Sequence, residues 1–391
     1  MRGVLFRIAA MVAGVAGALL LGEIAVRVWV PPPERARLTV SSGYAERLDA
    51  ENAAPARLRM EGSVEGPGSG PVLYFYTPTG MRLRANTHAV IEHHRLGGGT
   101  VEVRTNSLGY RNRELGPKRR PRVLFLGDSI TVQDYLPEEE TIVRLVETLS
   151  ERTRAPLETV NAGVGAIGSG TELAILLETG FSVHPDVVVL DWYLNDAQPS
   201  AGVEATVPTG WLRHSRLAEL LLASVATWAP GGRRRDLSVF SAEIDAQWRA
   251  QVAADFPPGP GHYLSSPAAF NQRIQDLFFD WGSAWSDGAW ERMAPIIAEM
   301  KRQADLHGAR FLIVAFPVAE QVRARFLHDH PQRRLREVAG KLGVPVLDLL
   351  PVLRARVRES SERVFWDWCH PSPEGSEIIA AAILEFLQRA I

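Results

Sequence analysis

The stretch "VLFLGDSITV", residues 123–132, is a run of apolar residues that breaks on a glycine, an aspartate and a serine. A continuous apolar run of this length is typical of a strand buried on both faces of a parallel sheet. The break at Gly127, Asp128 and Ser129 fits an ordinary strand-to-helix turn, and it equally fits a turn that presents Ser129 as a nucleophile. The other motifs of the chain must decide between these interpretations.

Four similar apolar runs follow, with helical patterns between most of them. They cover residues 158–163, 186–192, 309–316 and 344–349. Alternating strands and helices predict an α/β fold in which helices cover both faces of a parallel five-stranded sheet. We expect this domain to span 121–391, with an insertion at about 200–290 that is long enough to form a cap.

The composition excludes several classes of protein. The chain has 391 residues, 46% of them hydrophobic and 23% charged, which is ordinary globular usage. Its formal net charge of -2 gives no basic field for a nucleic acid, so we expect no nucleic-acid partner. A single cysteine, Cys369, excludes an internal disulfide framework.

The N-terminus predicts export. Residues 1–30 carry Arg2 and Arg7 in front of an uncharged stretch at 8–22, and three prolines follow at 31–33. We expect a single-pass anchor in the cytoplasmic membrane, with the rest of the chain extracytoplasmic and periplasmic. A cleaved signal, which would give a secreted protein, and a buried helix are the alternatives.

Residues 31–120 are expected to form a linker and a small β-rich accessory region. Short runs with β-like alternation lie between 72 and 104, which indicates a partly antiparallel element. Inside the insertion, "DLFFDWGSAWSDGAW" at 276–290 is rich in aromatic residues. We expect these rings to pack in the core, with a sugar- or acyl-binding platform and a membrane contact as alternatives.

Polar clusters follow the predicted strands. Ser129 follows the first strand, the glycine-rich "NAGVGAIGSG" at 161–170 the second, and Asn195 the third. Asp367 and His370 come just before the last helix. Because ligands bind at the carboxyl ends of the strands in an open parallel sheet, we expect these clusters to meet at one edge.

These residue types are the ones that acyl transfer requires. A serine hydroxyl needs a base, which His370 can supply, and Asp367 lies three residues earlier, where it can orient the imidazole. The backbone N–H of Ser129, N–H groups of the glycine loop and the amide of Asn195 can stabilise an oxyanion. Asp128 and the neighbouring Asp196 are expected to stabilise turns.

The four blocks together resemble the SGNH, or GDSL-like, hydrolases. They are "GDSITV", "NAGVGAIG", "YLNDA" and "DWCHPSPEG", and the resemblance spans about 122–391. Three further stretches, "LLLGEIAVRV", "TNSLGYR" and "HSRLAELL", are similar to a bacterial subgroup with an N-terminal membrane segment. The resemblance implies a three-layer, flavodoxin-like fold.

The resemblance also implies roles for individual residues. Ser129 would be the nucleophile, His370 the base, Asp367 its orienter and Asn195 an oxyanion donor. A backbone N–H of Gly165 or Ala166 would be a second donor. The sequence departs from the family pattern at Leu194 and Ala166, where the family usually has glycine, and the choice between Gly165 and Ala166 stays open.

We therefore expect a membrane-anchored, extracytoplasmic serine esterase that hydrolyses acyl esters, chiefly O-acetyl groups, on an envelope or extracellular polysaccharide, with an acylated lipid as the alternative substrate. An O-acyltransferase using the same triad and a non-catalytic envelope binding module are the alternatives. No cofactor and no metal are expected, because "HH" at 93–94 and "HDHP" at 328–331 lack a convincing ligand set. Cys369 has no base of its own, so a thiol nucleophile is not expected.

Overall fold

A computed structural model of the chain describes residues 2–29, 37–40, 57–61, 73–77, 79–92, 94, 96, 99–197, 203–206, 215, 217, 266–277, 280–359 and 364–390. Most of the predicted insertion at about 200–290 lies outside the described residues, and so do Phe278 and Phe279 of its aromatic stretch. Whether this insertion forms a cap therefore stays a prediction.

The described strands are short, and most of the helices are longer. The strands are β1 (Arg37–Val40), β2 (Arg57–Glu61), β3 (Tyr74–Thr77), β4 (Gly80–Leu83), β5 (His88–Glu92), β6 (Val101–Arg104), β7 (Arg122–Leu126), β8 (Glu158–Asn161), β9 (Val187–Tyr193), β10 (Val203–Thr206), β11 (Arg310–Phe316) and β12 (Val346–Asp348). The α-helices are α1 (Arg2–Trp29), α2 (Ser129–Val132), α3 (Ile142–Ser150), α4 (Ser169–Glu178), α5 (Pro267–Asp276), α6 (Asp287–Leu306), α7 (Ala319–Arg323), α8 (His330–Leu342), α9 (Leu349–Glu359) and α10 (Pro373–Ala390).

The central sheet has five strands in the order β12-β11-β9-β7-β8. All four neighbouring pairs are parallel. Counted along the chain, the five strands take the order 2-1-3-4-5, which is that of flavodoxin-like folds. The α/β fold and the five predicted strands are confirmed.

Helices cover the sheet as two groups. Helix α6 packs against α4 and α8, and α10 packs against α3 and α9. Every residue of β7 and β9 is buried, which explains why their sequences are continuous apolar runs rather than alternating ones. Helices α5, α7 and α9 were not expected from the sequence, and α9 contains a proline. Its Pro351 lies in the first turn, where the missing N–H has no intrahelical partner to lose.

The N-terminal segment forms helix α1. Within the part of the chain that the structure describes, no helix has both the length and the apolar content needed to cross a membrane. The anchor expected for residues 1–30 is therefore not shown, and the location of the protein stays a prediction. Near its end, α1 contacts a distant segment, because Glu23 accepts hydrogen bonds from the Ser215 hydroxyl (2.8 Å) and the Leu217 N–H (3.0 Å).

The accessory region is partly antiparallel, as expected. Strands β3 and β4 form an antiparallel pair, β5 and β6 form another, and β2 pairs with β5 in parallel. Its apolar side chains, including Leu83, Ile91 and Val103, belong to the same buried cluster as those of the central sheet. The region therefore packs onto the five-stranded domain.

The segment "TNSLGYRNRE", residues 105–114, makes hydrogen bonds to the segment around the end of α2 and to strand β8. The guanidinium of Arg111 is buried and donates to the carbonyl oxygens of Val132 (2.8 Å), Gln133 and Leu136 (2.6 Å). The Asn112 amide donates to the Thr159 carbonyl (3.0 Å) and accepts from the main-chain N–H at position 161 (2.5 Å). The accessory region is thus bonded to the chain that follows the serine turn and to the strand that leads into the glycine block.

Gly163 permits the close approach of the glycine loop to α2. A Cβ at this position would lie 2.5 Å from the backbone nitrogen of Val132. We expect Gly163→Ala to lower the free energy of unfolding by about 1–3 kcal/mol, the usual cost of overpacking. The matched control is Gly340→Ala in α8, where nothing lies within 4 Å of the added carbon, and it should gain up to about 1 kcal/mol. Urea unfolding measures both, and equal stability of the two variants would contradict the prediction.

Candidate active site

Ser129 begins helix α2 directly after the central strand β7. The carboxylate of Asp128 caps this turn, with Oδ1 accepting from the Ile130 N–H at 2.9 Å. This is the turn-stabilising role expected for Asp128. Asp196 has a similar role after β9, where it accepts from the Tyr193 N–H at 2.9 Å. Asp128 is buried, whereas Ser129 is half-buried at the carboxyl edge of the sheet.

The loop before α10 carries Asp367 and His370, and backbone hydrogen bonds connect its two sides. The Trp366 N–H donates to the His370 carbonyl (2.8 Å), and the Ser372 N–H donates to the Val364 carbonyl (3.0 Å). Ser372 then caps α10 by accepting from the Gly375 N–H at 3.1 Å. These bonds hold the loop in one conformation beside the sheet edge.

The structure brings the three predicted catalytic residues together. The Nε2 atom of His370 lies 3.0 Å from the Ser129 hydroxyl, across 241 positions of sequence. The Nδ1 atom of His370 lies 2.7 Å from Oδ2 of Asp367. With the proton on Nδ1, the imidazole donates to the carboxylate and leaves Nε2 to accept from Ser129, which is the arrangement of a serine triad.

Asp367 is fully buried, and its other oxygen is also bonded. Oδ1 accepts from the main-chain N–H groups of Cys369 (2.8 Å) and His370 (2.7 Å). Burial acts to raise the pKa of Asp367, but the charge of His370 and these hydrogen bonds outweigh it and lower the pKa below its ordinary value. The carboxylate is therefore ionised at neutral pH and can stabilise an imidazolium.

Asn195 lies beyond the end of β9, next to the serine turn. Its side-chain nitrogen donates to Oδ2 of Asp128 at 2.8 Å. This bond was not foreseen, and it links the asparagine block to the residue that caps α2. An amide carries two N–H groups, so the bond to Asp128 uses one of them.

The glycine loop lies against the serine turn. The Val164 N–H donates to the Gly127 carbonyl at 3.1 Å, directly before Asp128 and Ser129. Ala166 is exposed and has a left-handed φ of 55°, which is uncommon for a residue other than glycine. Gly165 and Ala166 therefore belong to the loop beside Ser129, and the choice of oxyanion donor between them stays a prediction.

Sequence reasoning missed Tyr135, which contacts the imidazole of His370. The two rings meet edge to face, with centroids 5.1 Å apart and planes at 78°. Its neighbour Gln133 donates to the Ser376 hydroxyl (2.9 Å) and accepts from the Ile142 N–H (2.5 Å), so the segment after α2 is tied to α3 and α10. No spacing rule marks Tyr135, because its contact with His370 is a feature of the folded chain.

Cys369 lies beside the imidazole without a base of its own. Its Sγ is 3.3 Å from Nδ1 of His370, which is already bonded to Asp367. Burial, followed by the charges of Asp367, Asp280 and Asp128, raises the pKa of the thiol well above its ordinary value. A neutral thiol agrees with the expectation that Cys369 is not the nucleophile.

The aromatic stretch at 276–290 packs mainly into the core. Trp281 and Trp290 are fully buried, and the ring of Trp290 contacts that of Trp192 with centroids 5.6 Å apart. Trp285 is half-buried and donates from its indole nitrogen to Nδ1 of His328 at 3.0 Å. The expected core packing is thus confirmed for Trp281 and Trp290.

Comparisons with known proteins give similarities of fold. No protein-family model matches the chain, and no curated protein matches its sequence. Among solved structures, one from Desulfitobacterium hafniense is named for the G-D-S-L family of lipolytic proteins. It is 11% identical, with a TM-score of 0.36, and the match covers 68% of this chain and 99% of that one.

Two further similar structures are named as ester hydrolases. A variant of an acetyl-xylooligosaccharide esterase from Geobacillus is 14% identical over 68% of this chain and 93% of that one, with a TM-score of 0.39. A GDSL-like lipase from Bacteroides thetaiotaomicron is 15% identical over 69% and 89%, with a TM-score of 0.32. At this level of similarity the activities of these proteins cannot be transferred to the chain.

Several acidic side chains are buried beneath the serine turn. Glu172, Asp191 and Asp196 are at most 4% exposed. Burial raises the pKa of all three, to about 8 for Asp191, and the charge of Asp128 adds to the effect. Asp191 also accepts a hydrogen bond from the Thr131 hydroxyl at 2.9 Å, so it sits directly below α2.

A proton held by Asp191 makes stability depend on pH. The folded protein binds this proton up to about pH 8, whereas the unfolded chain releases it near the ordinary value of 3.8. The free energy of unfolding should therefore fall as pH rises through this window, by up to about 1.4 kcal/mol per pH unit for one group. We expect Asp191→Asn to reduce this slope, as measured by urea unfolding between pH 5 and pH 8, values chosen within that window.

The matched control for this prediction is Asp305→Asn. Asp305 is exposed and pairs with Lys301, so its replacement should leave the slope unchanged. An Asp191→Asn variant with the same slope as the wild type would show that Asp191 is ionised in the folded protein.

Proposed function

We propose that the protein is a serine hydrolase that cleaves acyl esters through an acyl-enzyme on Ser129. The observation that carries this proposal is the continuous chain of hydrogen bonds from Asp367 through His370 to Ser129, with lengths of 2.7 and 3.0 Å. Both lengths lie within the range in which a base can take the proton of a nucleophile. The four sequence blocks support the same conclusion by their resemblance to SGNH hydrolases.

In the first half of the reaction, the Ser129 oxygen attacks the carbonyl carbon of the ester. Nε2 of His370 takes the hydroxyl proton, and the buried carboxylate of Asp367 stabilises the imidazolium that forms. His370 then gives the proton to the departing alcohol, so that the carbon–oxygen bond of the ester breaks and the acyl group stays on Ser129. Water, activated by the same Nε2 atom, releases the acid in the second half.

The negative charge that develops on the carbonyl oxygen needs donors. We assign this role to the N–H of Ser129, to the Asn195 amide and to a backbone N–H at Gly165 or Ala166. The bond from Asn195 to Asp128 supports the assignment, because it holds the amide next to the serine turn before substrate binds. Donors that are already oriented need no reorganisation during the reaction, which is why they are effective.

For the substrate, we propose O-acetyl groups on an envelope polysaccharide. This part rests on the resemblance to SGNH hydrolases and on the export expected from residues 1–30. One of the similar structures is a variant of an enzyme named as an acetyl-xylooligosaccharide esterase, and its name indicates an acetylated sugar as substrate. Purified protein should release acetate from acetylated glycans. If it cleaves small esters but no acetylated glycan, the proposed polysaccharide substrate is wrong and the proposed esterase activity stands.

Replacement of the nucleophile is the direct test. We expect Ser129→Ala to lower kcat for p-nitrophenyl acetate by about 10⁶-fold, to the level of the residual catalysis by binding groups. Asp367→Asn should lose about 10⁴-fold, because the imidazole then takes the wrong tautomer. Ser182→Ala is the matched control, since Ser182 is an exposed serine of the same domain and its loss should leave kcat unchanged.

Equal rates for the wild type and Ser129→Ala would show that Ser129 is not the nucleophile. A fluorophosphonate probe adds a second measurement, because it should label the folded wild type and spare Ser129→Ala. Absence of labelling of the folded wild type would instead favour a non-catalytic module. Product analysis with a sugar acceptor present distinguishes the two reactions, because hydrolysis yields free acetate and transfer yields an acetylated acceptor.

The oxyanion assignment has its own test. We expect Asn195→Ala to lower kcat by about 10²–10³-fold, the usual effect of removing one donor, with a smaller change in KM. Asn271→Ala is the control, because Asn271 is an exposed asparagine on α5. A change in KM alone would show that Asn195 binds the ground state rather than the oxyanion.

A further inference from the structure

A side-chain cluster suited to a metal ion is built into the loop before α10. Among the described residues, a carboxylate oxygen of Asp367, Sγ of Cys369 and a ring nitrogen of His370 lie within 4.8 Å of one another. Nδ1 of His370 is the centre of this group, at 2.7 Å from Asp367 and 3.3 Å from Cys369. The proposed mechanism uses the carboxylate and the imidazole, but it gives no task to the thiol.

We propose that Asp367, Cys369 and the Nδ1 atom of His370 form an inhibitory site for a thiophilic divalent cation such as Zn²⁺. This inference rests on the proposed function, since the site that the cation blocks is the catalytic one. Thiolate, imidazole and carboxylate are the ligands that Zn²⁺ takes in proteins, at about 2.0–2.3 Å from the ion. The remaining coordination position goes to water.

The electrostatics of the loop favour a cation. Burial is the largest cause that raises the pKa of the Cys369 thiol, and the negative charges of Asp367, Asp280 and Asp128 add to it. The same negative potential attracts a divalent ion, and a bound ion reverses the local effect by stabilising the thiolate. Asp280 is close to the cluster, because it accepts from the indole nitrogen of Trp368 at 3.1 Å.

The inhibition follows from the position of one proton. In the resting imidazole the proton is on Nδ1, and Nε2 is free to accept from Ser129. An ion bound at Nδ1 requires the neutral ring to carry its proton on Nε2 instead, where it can no longer take the serine proton. The Nδ1 proton thus moves to Nε2, and the Cys369 thiol releases one proton to solvent as the sulfur–metal bond forms.

The experiment compares inhibition of p-nitrophenyl acetate hydrolysis by buffered Zn²⁺ in the wild type and in Cys369→Ser, with full-length protein. Cys369 is 5% exposed, so the protein is incubated with the ion before the assay. We expect zinc to inhibit the wild type, and chelation to restore activity. Mg²⁺ should have no effect, because it prefers oxygen ligands.

The inhibition constant for zinc should rise by more than about 100-fold in Cys369→Ser, since losing even an outer-shell partner costs about 10–100-fold in metal affinity. The variant should keep its basal activity, because the sulfur takes no part in ester cleavage. Cys369→Ala is a second variant, and it lacks the hydroxyl group that Cys369→Ser introduces. Equal inhibition of the wild type and both variants by zinc would show that Cys369 does not bind the ion, and the proposed metal site would be wrong.

A spectroscopic measurement separates this proposal from the esterase mechanism. Co²⁺ added to the wild type should give a thiolate-to-metal charge-transfer absorption, and the band should be absent in Cys369→Ser. If the wild type cleaves no ester, the proposed function fails while the cobalt band still reports the metal site. If the wild type is active but gives no band and no inhibition by zinc, the metal site alone is wrong.

Discussion

The carboxylate of Asp367 accepts three hydrogen bonds, and the geometry of the site depends on them. Two come from main-chain N–H groups of its own loop and the third from the imidazole of His370. A buried carboxylate without partners would cost several kcal/mol, so the loop conformation and the ring orientation are stabilised as one unit. Turning the imidazole away from Ser129 would break the bond to Asp367 as well.

Ser129 is fixed from the opposite side by elements that are far apart in the sequence. Strand β7 ends at the serine turn, Asp128 caps the turn, and Gly163 lets the next loop approach α2. Arg111 then holds the carbonyl groups that follow α2, which places Tyr135 against His370. The accessory region, whose task the sequence left open, is therefore part of the support of the site.

Much of the site could be predicted because a parallel sheet places the carboxyl ends of its strands at one edge. Ser129 and Asn195 follow apolar runs that are typical of buried strands, and the Asp-x-x-His spacing fits a turn. The bond from Asn195 to Asp128 and the ring contact of Tyr135 could not be predicted, because they depend on side-chain positions set by packing. Helix α9 was not predicted, although its Pro351 lies in the first turn, where a proline is compatible with a helix.

The protons on the buried acids have a consequence for the chemistry at Ser129. Glu172, Asp191 and Asp196 lie beneath or beside the serine turn, and charge on any of them would oppose the oxyanion that forms on the substrate. Burial raises the pKa of all three, to about 8 for Asp191, whereas the charge of His370 and three hydrogen-bond donors lower the pKa of Asp367. Burial acts in the same direction on Asp191 and Asp367, and the partners that each carboxyl group has decide the direction of its pKa shift. The charge of Asp367 lies behind the imidazole, where it stabilises the proton taken from Ser129.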